Sequence, residues 1–522
     1  MKKLNLIIIL LLILYIFVNL YTIESFPFVH SDEIWLALLS EDMVEASSFQ
    51  QTESFFDLFP RVPHAIKILY HGLQGIWFQL IGLSIFSIRS LSFVFACISL
   101  PIMYSYLYDL SEDQGLSLGY TLVFALNIQF IYASHFGRQE IILLVLLLAS
   151  LFLIARESKR EAHIRARILL ILASITGIAI GIHPNSFFIG AMIASILFVR
   201  SAVEKRFQIF TLYVIPTGMI ASFFIALSMS WRTTFFKDYG YLGAQLGTDA
   251  ALTSKITQFP TFLYKLYHQI GATYYLAPIK SYMLSFLLFF ALLLLVIGYE
   301  ALKKSKTATQ HSLDMVLAVL SLTAALIIVG RYNPTSIVFY LPLGVLMACE
   351  VLQRFTTKKA HYVLLSLMVL FTCYHTFSII TEAPLENYSD FTAAIASQLD
   401  EDAVILGNLN AGLAFGGHVF YDIRNLAYLD SASLSVSDYL ESNEITTIIW
   451  SEEMDYIARN SDKWSILYGP MPYYNDLKEI LQEQFTPAYR FESPLYGMRI
   501  VDYADGYPWM ITIYNKKQIL IK

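Results

Sequence analysis

Long apolar runs separated by short polar segments fill the first 380 residues of the chain. A helix that crosses ~30 Å of hydrocarbon needs roughly 20 predominantly apolar residues. We therefore predict about eleven transmembrane helices, at about 4–22, 89–108, 116–134, 140–155, 168–182, 187–199, 208–230, 282–299, 312–330, 335–352 and 361–380. The first run resembles a signal peptide, but it is longer than a typical signal core and no cleavage site of small residues follows it, so we expect it to be retained.

The stretch 64–86 decides the topology, because counting it as a span would invert every later loop. Lys67 and His71 make it a poor lipid-facing helix. Without it, the basic residues of the later loops share one side with the N-terminal lysines, as the positive-inside rule requires of the cytoplasmic side. They are Arg156, Lys159, Arg160, Arg165, Arg167, Arg200, Lys205, Arg206, Lys303, Lys304, Lys306, Arg354, Lys358 and Lys359. We therefore expect an interfacial or half-inserted helix within an outer loop 23–88, a cytoplasmic N-terminus and an outer C-terminus.

Residues 385–522 have a different pattern, in which short apolar runs typical of strands alternate with polar, helix-like segments such as 388–399. The strand-like runs are 403–406, 445–450 and 509–514. They predict a small outer α/β domain of about 135 residues after a transmembrane domain of residues 1–384. The glycine-rich run 411–417 lacks the spacing of a dinucleotide-binding fingerprint, so we favour a turn over a nucleotide site.

Composition narrows the class of protein. Hydrophobic residues make up 56% of the 522 residues and charged residues 15%. Soluble globular proteins have about 45–50% apolar and about 25% charged residues, so a water-soluble enzyme and a disordered chain are excluded. The net charge of −6 provides no basic field, which excludes a nucleic-acid-binding protein. Cys97, Cys349 and Cys373 lie in apolar runs without paired spacing, so we expect neither a disulfide framework nor a zinc site.

With this topology, ionisable residues from separate parts of the chain converge on the outer face of the membrane. Charged groups at this boundary are costly unless they are paired or hydrated, so a cluster of them is a hypothesis of function. The candidate residues are Asp32, Glu33, His64, Lys67, His71, His135, Arg138, Glu140, His183 and Arg331.

Each of these residues also has a purely structural interpretation. Asp32 and Glu33 could complement the dipole of a helix in its first turn, as could Glu140. Lys67 could extend from an interfacial helix toward water, and His183 could end a span before a proline. The remaining cations could be interfacial anchors or ion-pair partners. The agreement of two acidic sites and several cations on one face favours the functional interpretation.

Group transfer from a lipid phosphate at the membrane surface needs this combination of side chains. A carboxylate accepts the proton of the attacking hydroxyl, and fixed cations stabilise the departing phosphate. Adjacent residues of a helix point about 100° apart, so we expect only one of Asp32 and Glu33 to be the base. The other would orient a sugar hydroxyl, bind a cation or cap the helix.

Four segments support this chemistry by their order and spacing: 30–37 with the acidic pair, 61–90 with Arg89, 138–140 at the outer start of the fourth span, and 332–343. In these segments the chain resembles the membrane-integral glycosyltransferases of the GT-C class, specifically the protein O-mannosyltransferase and aminoarabinose-transferase group. His64 and Glu140 stand where that family has a proline and an aspartate. The resemblance covers about residues 1–200, and the remaining spans more loosely.

This resemblance implies a GT-C fold, a polyprenyl-phosphate-linked sugar donor, an outward active site and an inverting displacement. It makes Asp32 the candidate base and Glu140 the second essential carboxylate. Lys67 or Arg138 would bind the donor phosphate, with Arg331 as a third candidate cation, and the four histidines are candidates for other substrate contacts.

Some members of the family bind a metal, to which His183 could contribute together with Glu33 or Glu140. Because the sequence has no recognisable spacing of metal ligands, we predict no metal and no other cofactor. The acceptor-binding modules of true protein O-mannosyltransferases are absent from the sequence, so we expect a glycan or lipid acceptor.

We therefore predict an α-helical, polytopic, GT-C-like glycosyltransferase of a bacterial plasma membrane, with membrane lipids and no nucleic acid among its partners. One alternative is a transporter or flippase of lipid-linked glycans. It is disfavoured because the polar residues gather at one face and no internal repeat is evident. The other alternative is a polymerase or ligase of surface polysaccharide, which would use the same kind of donor.

Overall fold

Helices make up most of the structure, a computed structural model that describes residues 2–160, 164–245, 248–303, 308–383, 386–464, 468–469, 471–500 and 509–517. The helices before residue 384 are α1 (Lys2–Thr22), α2 (Ser31–Glu45), α3 (Ile68–Ile81), α4 (Ile85–Ser111), α5 (Gln114–Ala125), α6 (Ile128–Ser134), α7 (Glu140–Arg160), α8 (Ala166–Ala179), α9 (Ser186–Val203), α10 (Gln208–Trp231), α11 (Phe235–Gln245), α12 (Leu252–Tyr267), α13 (Lys280–Lys303), α14 (Ala308–Val329), α15 (Tyr340–Phe355) and α16 (Lys358–Glu382), with a 3₁₀ helix at Pro334–Phe339.

Within the described part of the chain, eight helices are long and apolar enough to cross a membrane, and α5 with α6 forms a ninth candidate span, bent by 64°. These nine correspond to nine of the eleven predicted runs and confirm an α-helical polytopic membrane protein. The other two runs lie on α1 and α8. With 14 residues, α8 is about 21 Å long, which is shorter than the ~30 Å hydrocarbon core. The sequence therefore predicts two more spans, on α1 and α8, than the nine candidate spans of the described residues.

Between α1 and α4 lie two helices, α2 and α3, that do not meet the criteria for a span. The polar residues of α3 are buried against α2, where the Ser40 hydroxyl lies 2.7 Å from Gln74 Oε1 and 2.8 Å from His71 Nδ1. Gly75 permits this close packing, because a Cβ atom there would lie 2.7 Å from Cγ2 of Val44. The polar face of α3 is therefore turned into the protein and not toward lipid.

The C-terminal part contains a five-stranded sheet in the order β2-β1-β3-β5-β4. Its strands are β1 (Val404–Gly407), β2 (Val419–Asp422), β3 (Thr447–Ser451), β4 (Phe485–Glu492) and β5 (Met510–Lys516). β1 pairs in parallel with β2 and β3, whereas β5 pairs antiparallel with β3 and β4. Its helices are α17 (Tyr388–Ala396), α18 (Leu429–Ala432), α19 (Val436–Ser442), α20 (Glu452–Arg459), α21 (Ser461–Trp464) and α22 (Tyr474–Gln484). The three predicted strands and the small α/β domain are confirmed.

The sheet domain and α2 share one apolar core. Ile34 and Ala37 of α2 are buried in the same cluster as Phe391, Phe415 and Ile513 of the C-terminal part. Of the glycine-rich run predicted as a turn, residues 411–415 belong to a 3₁₀ helix, Leu409–Phe415, and Gly416 and Gly417 form the turn that follows it. A Cβ atom at its central glycine, residue 412, would lie 2.9 Å from side chains of α2, so glycine is needed there for close contact. This core fixes the sheet domain against the N-terminal half of α2.

A fully buried ion pair between Glu33 and Arg89 fixes the start of α2. Arg89 Nε and Nη2 each donate to one Glu33 oxygen at 2.9 Å. Arg89 Nη1 donates to the carbonyl oxygens of Ile23 and Pro27, at 2.9 and 2.8 Å. Both side chains are 0% exposed. Since a buried charge is stabilised only by its partners, this pair joins α2, α4 and the segment after α1.

We expect Glu33→Gln to lower the free energy of unfolding by about 3–5 kcal/mol, because it leaves the Arg89 charge buried without compensation. Thermal unfolding of the detergent-solubilised protein measures the effect. Glu112→Gln is the matched control: it removes an ion pair whose two side chains are 52% and 73% exposed, so we expect it to leave the unfolding transition close to that of the wild type. Equal losses in the two variants would contradict a role for the buried pair.

Candidate active site

A continuous series of charged contacts joins Asp32, Arg138 and Glu140. Asp32 is the second residue of α2, Glu140 is the first residue of α7, and Arg138 lies in the short connection that precedes α7. Arg138 Nη1 lies 2.5 Å from Asp32 Oδ2, and Nη2 lies 3.2 Å from Glu140 Oε1. The Arg138 and Glu140 side chains are buried, whereas that of Asp32 is 30% exposed. One guanidinium therefore bridges two carboxylates, of which Asp32 is the accessible one.

Tyr274 and His30 complete the surroundings of Asp32. The Tyr274 hydroxyl donates to Asp32 Oδ2 at 2.5 Å, and its ring stacks on the His30 ring with centroids 4.2 Å apart. Burial raises the pKa of the Asp32 carboxyl, but His30, Arg138 and the Tyr274 hydroxyl together outweigh burial and hold that pKa well below its usual range. Among the described residues no group donates a hydrogen bond to Asp32 Oδ1. Asp32 is therefore a carboxylate at neutral pH with one oxygen free to accept from a ligand.

The other two predicted carboxylates have different surroundings. Glu33 Oε1 also accepts from the His30 N–H at 3.0 Å, and Oε2 accepts from the Gly137 N–H at 2.8 Å. Together with Arg89 these contacts occupy both oxygens, so Glu33 caps α2 and binds a cation, two of the three roles predicted for the member of the pair that is not the base. Glu140 Oε1 accepts from the Thr335 hydroxyl at 2.8 Å, whereas its buried Oε2 has no partner among the described residues.

Two of the candidate cations, Lys67 and Arg331, form no ion pair with any described carboxylate. Lys67 has a left-handed backbone conformation (φ 83°) immediately before α3, which costs a non-glycine residue about 1–3 kcal/mol and is typical of functional positions. Burial, followed by the charges of Arg61, Arg331 and Arg138, lowers the pKa of Lys67 to about 8. Arg61 itself is bound to Glu53, with contacts of 2.9 and 2.6 Å. Lys67 and Arg331 are therefore the cations left for an external anion.

The four candidate histidines divide into two pairs. His64 and His183 lie near the cations: burial and then the charge of Lys67 lower the pKa of both imidazoles, that of His64 to about 4. His71 and His135 have structural partners instead. The His71 ring contacts Ser40, although His71 also lies near Lys67, whose charge lowers its pKa further after burial. The His135 nitrogens contact the Phe26 carbonyl oxygen and the Asn19 side chain at 2.9 and 3.0 Å. Both rings are therefore held in place by the protein.

The described residues contain no group of three or more His, Cys, Asp or Glu side chains with the geometry of a metal site. The charge between the Asp32 and Glu140 carboxylates is instead the Arg138 guanidinium. The prediction that the protein uses no metal remains a prediction.

An apolar groove leads from the lipid-facing surface toward this cluster. It has a volume of about 360 Å³ and lies between α7 and α8, lined by Leu146, Leu170, Ile171, Ser174, Ile175, Ile178 and Ile182. Three of these, Leu170, Ile171 and Ile178, are more than 40% exposed. The groove ends at Ile182, next to His183, which is close enough to Lys67, Arg138 and Arg331 for their charges to lower its pKa further after burial.

No protein-family model and no curated protein sequence matches the chain. Solved structures do match its fold. ArnT from Cupriavidus metallidurans bound to undecaprenyl phosphate has a TM-score of 0.58 and 12% identity, over 87% of this chain and 94% of that chain. AglB from Archaeoglobus fulgidus, in complex with an inhibitory peptide and a dolichol-phosphate, has a TM-score of 0.53 and 10% identity, over 92% of this chain and 72% of that chain. Both neighbours are GT-C glycosyltransferases. This chain has the GT-C fold.

The oligosaccharyltransferase of Archaeoglobus fulgidus in complex with Zn and sulfate has the same fold, with a TM-score of 0.51 and 11% identity over 92% of this chain and 72% of that chain. The GT-C fold confirms the fold class that the sequence resemblance implied. Identities of 10–12% establish the fold alone, so any statement about chemistry depends on the side chains described above.

Sequence reasoning missed Tyr274 and Thr335, which contact Asp32 and Glu140 in this GT-C fold. Tyr274 is separated from Asp32 by 242 positions and Thr335 from Glu140 by 195. Both residues are uncharged and common in membrane proteins. The local signal is position alone: Tyr274 lies before the predicted span 282–299, and Thr335 begins the predicted span 335–352.

We expect the affinity of the site for a lipid phosphodiester to fall as the pH rises through about 8 and above, because Lys67 then loses its proton. A phosphodiester does not titrate in this range. The bound anion favours the protonated lysine, so the affinity does not begin to fall below the pKa of Lys67 in the free enzyme. Lys67→Arg should remove this dependence, since arginine stays charged. Binding of a fluorescent lipid phosphodiester to the protein in nanodiscs, across about pH 7–9, measures both. A flat profile for the wild type would contradict the assignment.

Proposed function

We propose that this protein is a membrane glycosyltransferase that transfers a sugar from a polyprenyl-phosphate-linked donor to a glycan or lipid acceptor, with inversion at the sugar. One observation supports this proposal above the others. A carboxylate, two unpaired cations and the end of a lipid-facing apolar groove lie together. A polyprenyl-phosphate-linked sugar needs all three: the groove for its apolar chain, the cations for its phosphate and the carboxylate beside its sugar.

In the proposed complex, Lys67 and Arg331 bind the donor phosphate and the polyprenyl chain lies in the groove between α7 and α8. The two neighbours support a lipid-phosphate donor, since ArnT is bound to undecaprenyl phosphate and AglB is in complex with a dolichol-phosphate. Arg138 was an equal candidate for the phosphate, but its Nη atoms contact Asp32 and Glu140. We therefore assign it to holding the two carboxylates in place.

The displacement uses the free oxygen of Asp32. An acceptor hydroxyl donates to Asp32 Oδ1 and attacks the anomeric carbon of the sugar from the face opposite the phosphate. The new carbon–oxygen bond forms as the bond to the phosphate oxygen breaks, and the electron pair of that bond goes to the phosphate. Lys67 and Arg331 neutralise the departing anion, and the hydroxyl proton passes to Asp32. Because the pKa of Asp32 is low, proton transfer follows when the attacking oxygen has become acidic.

The remaining charged groups of the site suggest a role for Glu140 and a reaction without a metal ion. The unpartnered, buried Oε2 of Glu140 is an acceptor for a sugar hydroxyl, and its Oε1 helps to orient Arg138. The positive charges in the proposed reaction come from Arg138, Lys67 and Arg331. We therefore propose that transfer requires no metal ion.

We also propose that the site faces the outside of a plasma membrane. Glu140 begins α7, whereas Lys159 and Arg160 lie in its last turn, about 30 Å away along the helix axis. Basic residues at a helix end favour the cytoplasmic side, so the opposite end is exterior. The sheet domain packs on α2 at that same end, which supports an exterior position for it as well.

We expect Asp32→Asn to reduce the turnover number by about 10²–10⁴-fold, because an amide cannot accept the proton, while donor binding and folding are retained. The measurements are the release of polyprenyl phosphate from a labelled donor and the binding of that donor. Asp42→Asn on the same helix is the control: its carboxylate contacts Ser54 outside the site, and its activity should equal that of the wild type. Near-normal turnover of Asp32→Asn would contradict the assignment of Asp32 as the base and would favour the flippase alternative.

We expect Ile178→Trp to weaken donor binding by about tenfold, because an indole fills the groove that the polyprenyl chain occupies. Leu287→Trp is the control, since Leu287 is a 60% exposed aliphatic residue on α13 outside the groove. Equilibrium binding of undecaprenyl phosphate to both variants in nanodiscs measures the difference. If the two tryptophan variants bind this lipid alike, the donor chain lies elsewhere.

A further inference from the structure

Helix α12 runs across the ends of two spans at the face of the charged cluster. Near its start, Lys255 Nζ donates to the Ile328 carbonyl oxygen in the last turn of α14, at 2.9 Å. At its end, the centroid of the Tyr267 ring lies 4.6 Å from Nζ of Lys280, the first residue of α13. Because α13 and α14 are consecutive spans, the start of one and the end of the other share a face, and Arg331 follows α14 there. α12 itself is not among the candidate spans.

Two rows of exposed residues run along α12, and the members of each row are four positions apart, so they lie on one side of the helix. The apolar row consists of Leu252, Ile256, Pro260 and Tyr264. The polar row consists of Thr257, Thr261 and Lys265. Because adjacent residues differ by about 100° around a helix, the two rows lie side by side. A third side of the helix, with Phe262 and Leu266, is buried in the protein.

The position of the apolar row indicates what covers it. Ile256 is 51% exposed and Tyr264 57%. Tyr264 lies one turn before Tyr267, which contacts the start of α13. Leu284, one turn into that span, is 52% exposed. The row therefore reaches the level at which the exposed apolar side chains of a span begin. A helix with an apolar side next to a polar side, at this level, is typical of helices that lie in the lipid–water interface.

α12 also holds the segment that bears Arg331. Gly330 has a left-handed backbone conformation (φ 70°), and a Cβ atom there would lie 2.5 Å from Lys255 Cδ. The Tyr332 hydroxyl donates to the Lys255 carbonyl oxygen, and its ring stacks on the Phe262 ring with centroids 5.3 Å apart. Arg331 is itself exposed but lies between two residues that both contact α12. A displacement of α12 would therefore move this cation.

We propose that α12 lies in the lipid–water interface, with its apolar row among lipid acyl chains and its polar row in water, and that this contact positions Arg331 for a lipid-linked phosphate. The partner of the apolar row is the bilayer. The positioning of Arg331 rests on the proposed function, in which Arg331 binds the donor phosphate, whereas the lipid contact does not. The bilayer thereby fixes the depth of a donor-binding cation relative to the phosphate layer in which the donor lies.

The first experiment identifies what contacts the apolar row. The photoreactive residue p-benzoylphenylalanine replaces Ile256 in one variant and Thr261, on the polar row of the same helix, in the control. Both full-length variants are irradiated in liposomes of palmitoyl-oleoyl-phosphatidylglycerol, and mass spectrometry identifies the adducts. We expect several-fold more lipid adducts at position 256 than at position 261. Equal lipid adducts at the two positions, adducts of position 256 to a second copy of the chain, or no adduct there would overturn the lipid contact.

The second experiment tests the positioning of Arg331. Ile256→Asp places a charge among the acyl chains and favours a shift of α12 toward water. We expect it to weaken the binding of undecaprenyl phosphate in the same liposomes by about tenfold. Thr261→Asp adds the same charge to the polar row and should bind this lipid as the wild type does. Both positions are exposed, so neither substitution disturbs a packed core.

Wild-type affinity in Ile256→Asp, or equal losses in the two aspartate variants, would overturn the positioning of Arg331 by α12. A wild type that does not bind undecaprenyl phosphate would count against the proposed function and against this positioning. The adducts at position 256 decide the lipid contact independently of that result.

Discussion

The buried Glu33 carboxylate is the contact on which the active-site geometry depends. Its two oxygens accept from Arg89 and also from the backbone N–H groups of His30 and Gly137. Glu33 is next to Asp32 in the sequence, and Gly137 is next to Arg138. One carboxylate therefore holds together the two segments that bear Asp32, the proposed base, and its guanidinium partner. Gly137 has to be glycine, because a Cβ atom there would lie 2.3 Å from Ile88 Cγ2.

The cations of the site differ in whether a carboxylate pairs with them. Arg61, Lys67, Arg138 and Arg331 are near enough to influence the pKa of a common neighbour or of one another. Arg61 and Arg138 are neutralised by carboxylates at hydrogen-bond distance, whereas Lys67 and Arg331 are not. Placing like charges close together without an anion costs free energy, which a bound phosphate recovers. The arrangement thus favours a phosphate over a neutral ligand before any specific contact is considered.

The sequence predicts the parts of the structure that local physics determines. Apolar runs become spans because the bilayer excludes unpaired backbone groups, and the alternating runs at 403–406 and 445–450 become strands. The sequence identifies the acidic pair, but which member is free depends on Arg89 and Gly137, which no local pattern connects to it. Tyr274 and Arg138 are over 100 positions from Asp32. His71 and His135 are candidates because they titrate, and only tertiary contacts show that packing already uses them.

The shortness of α8 has a consequence for the surrounding lipid. Its 14 residues leave a mismatch of about 9 Å with an average hydrocarbon core, and such a mismatch thins the adjacent leaflet or draws head groups inward. The groove follows α8 and ends at Ile182. We therefore expect the lipid boundary to be deformed at the end of the groove, level with the charged cluster. In the proposed function, a lipid-linked donor reaches the cations by sliding sideways within its own leaflet, without being lifted out of the membrane.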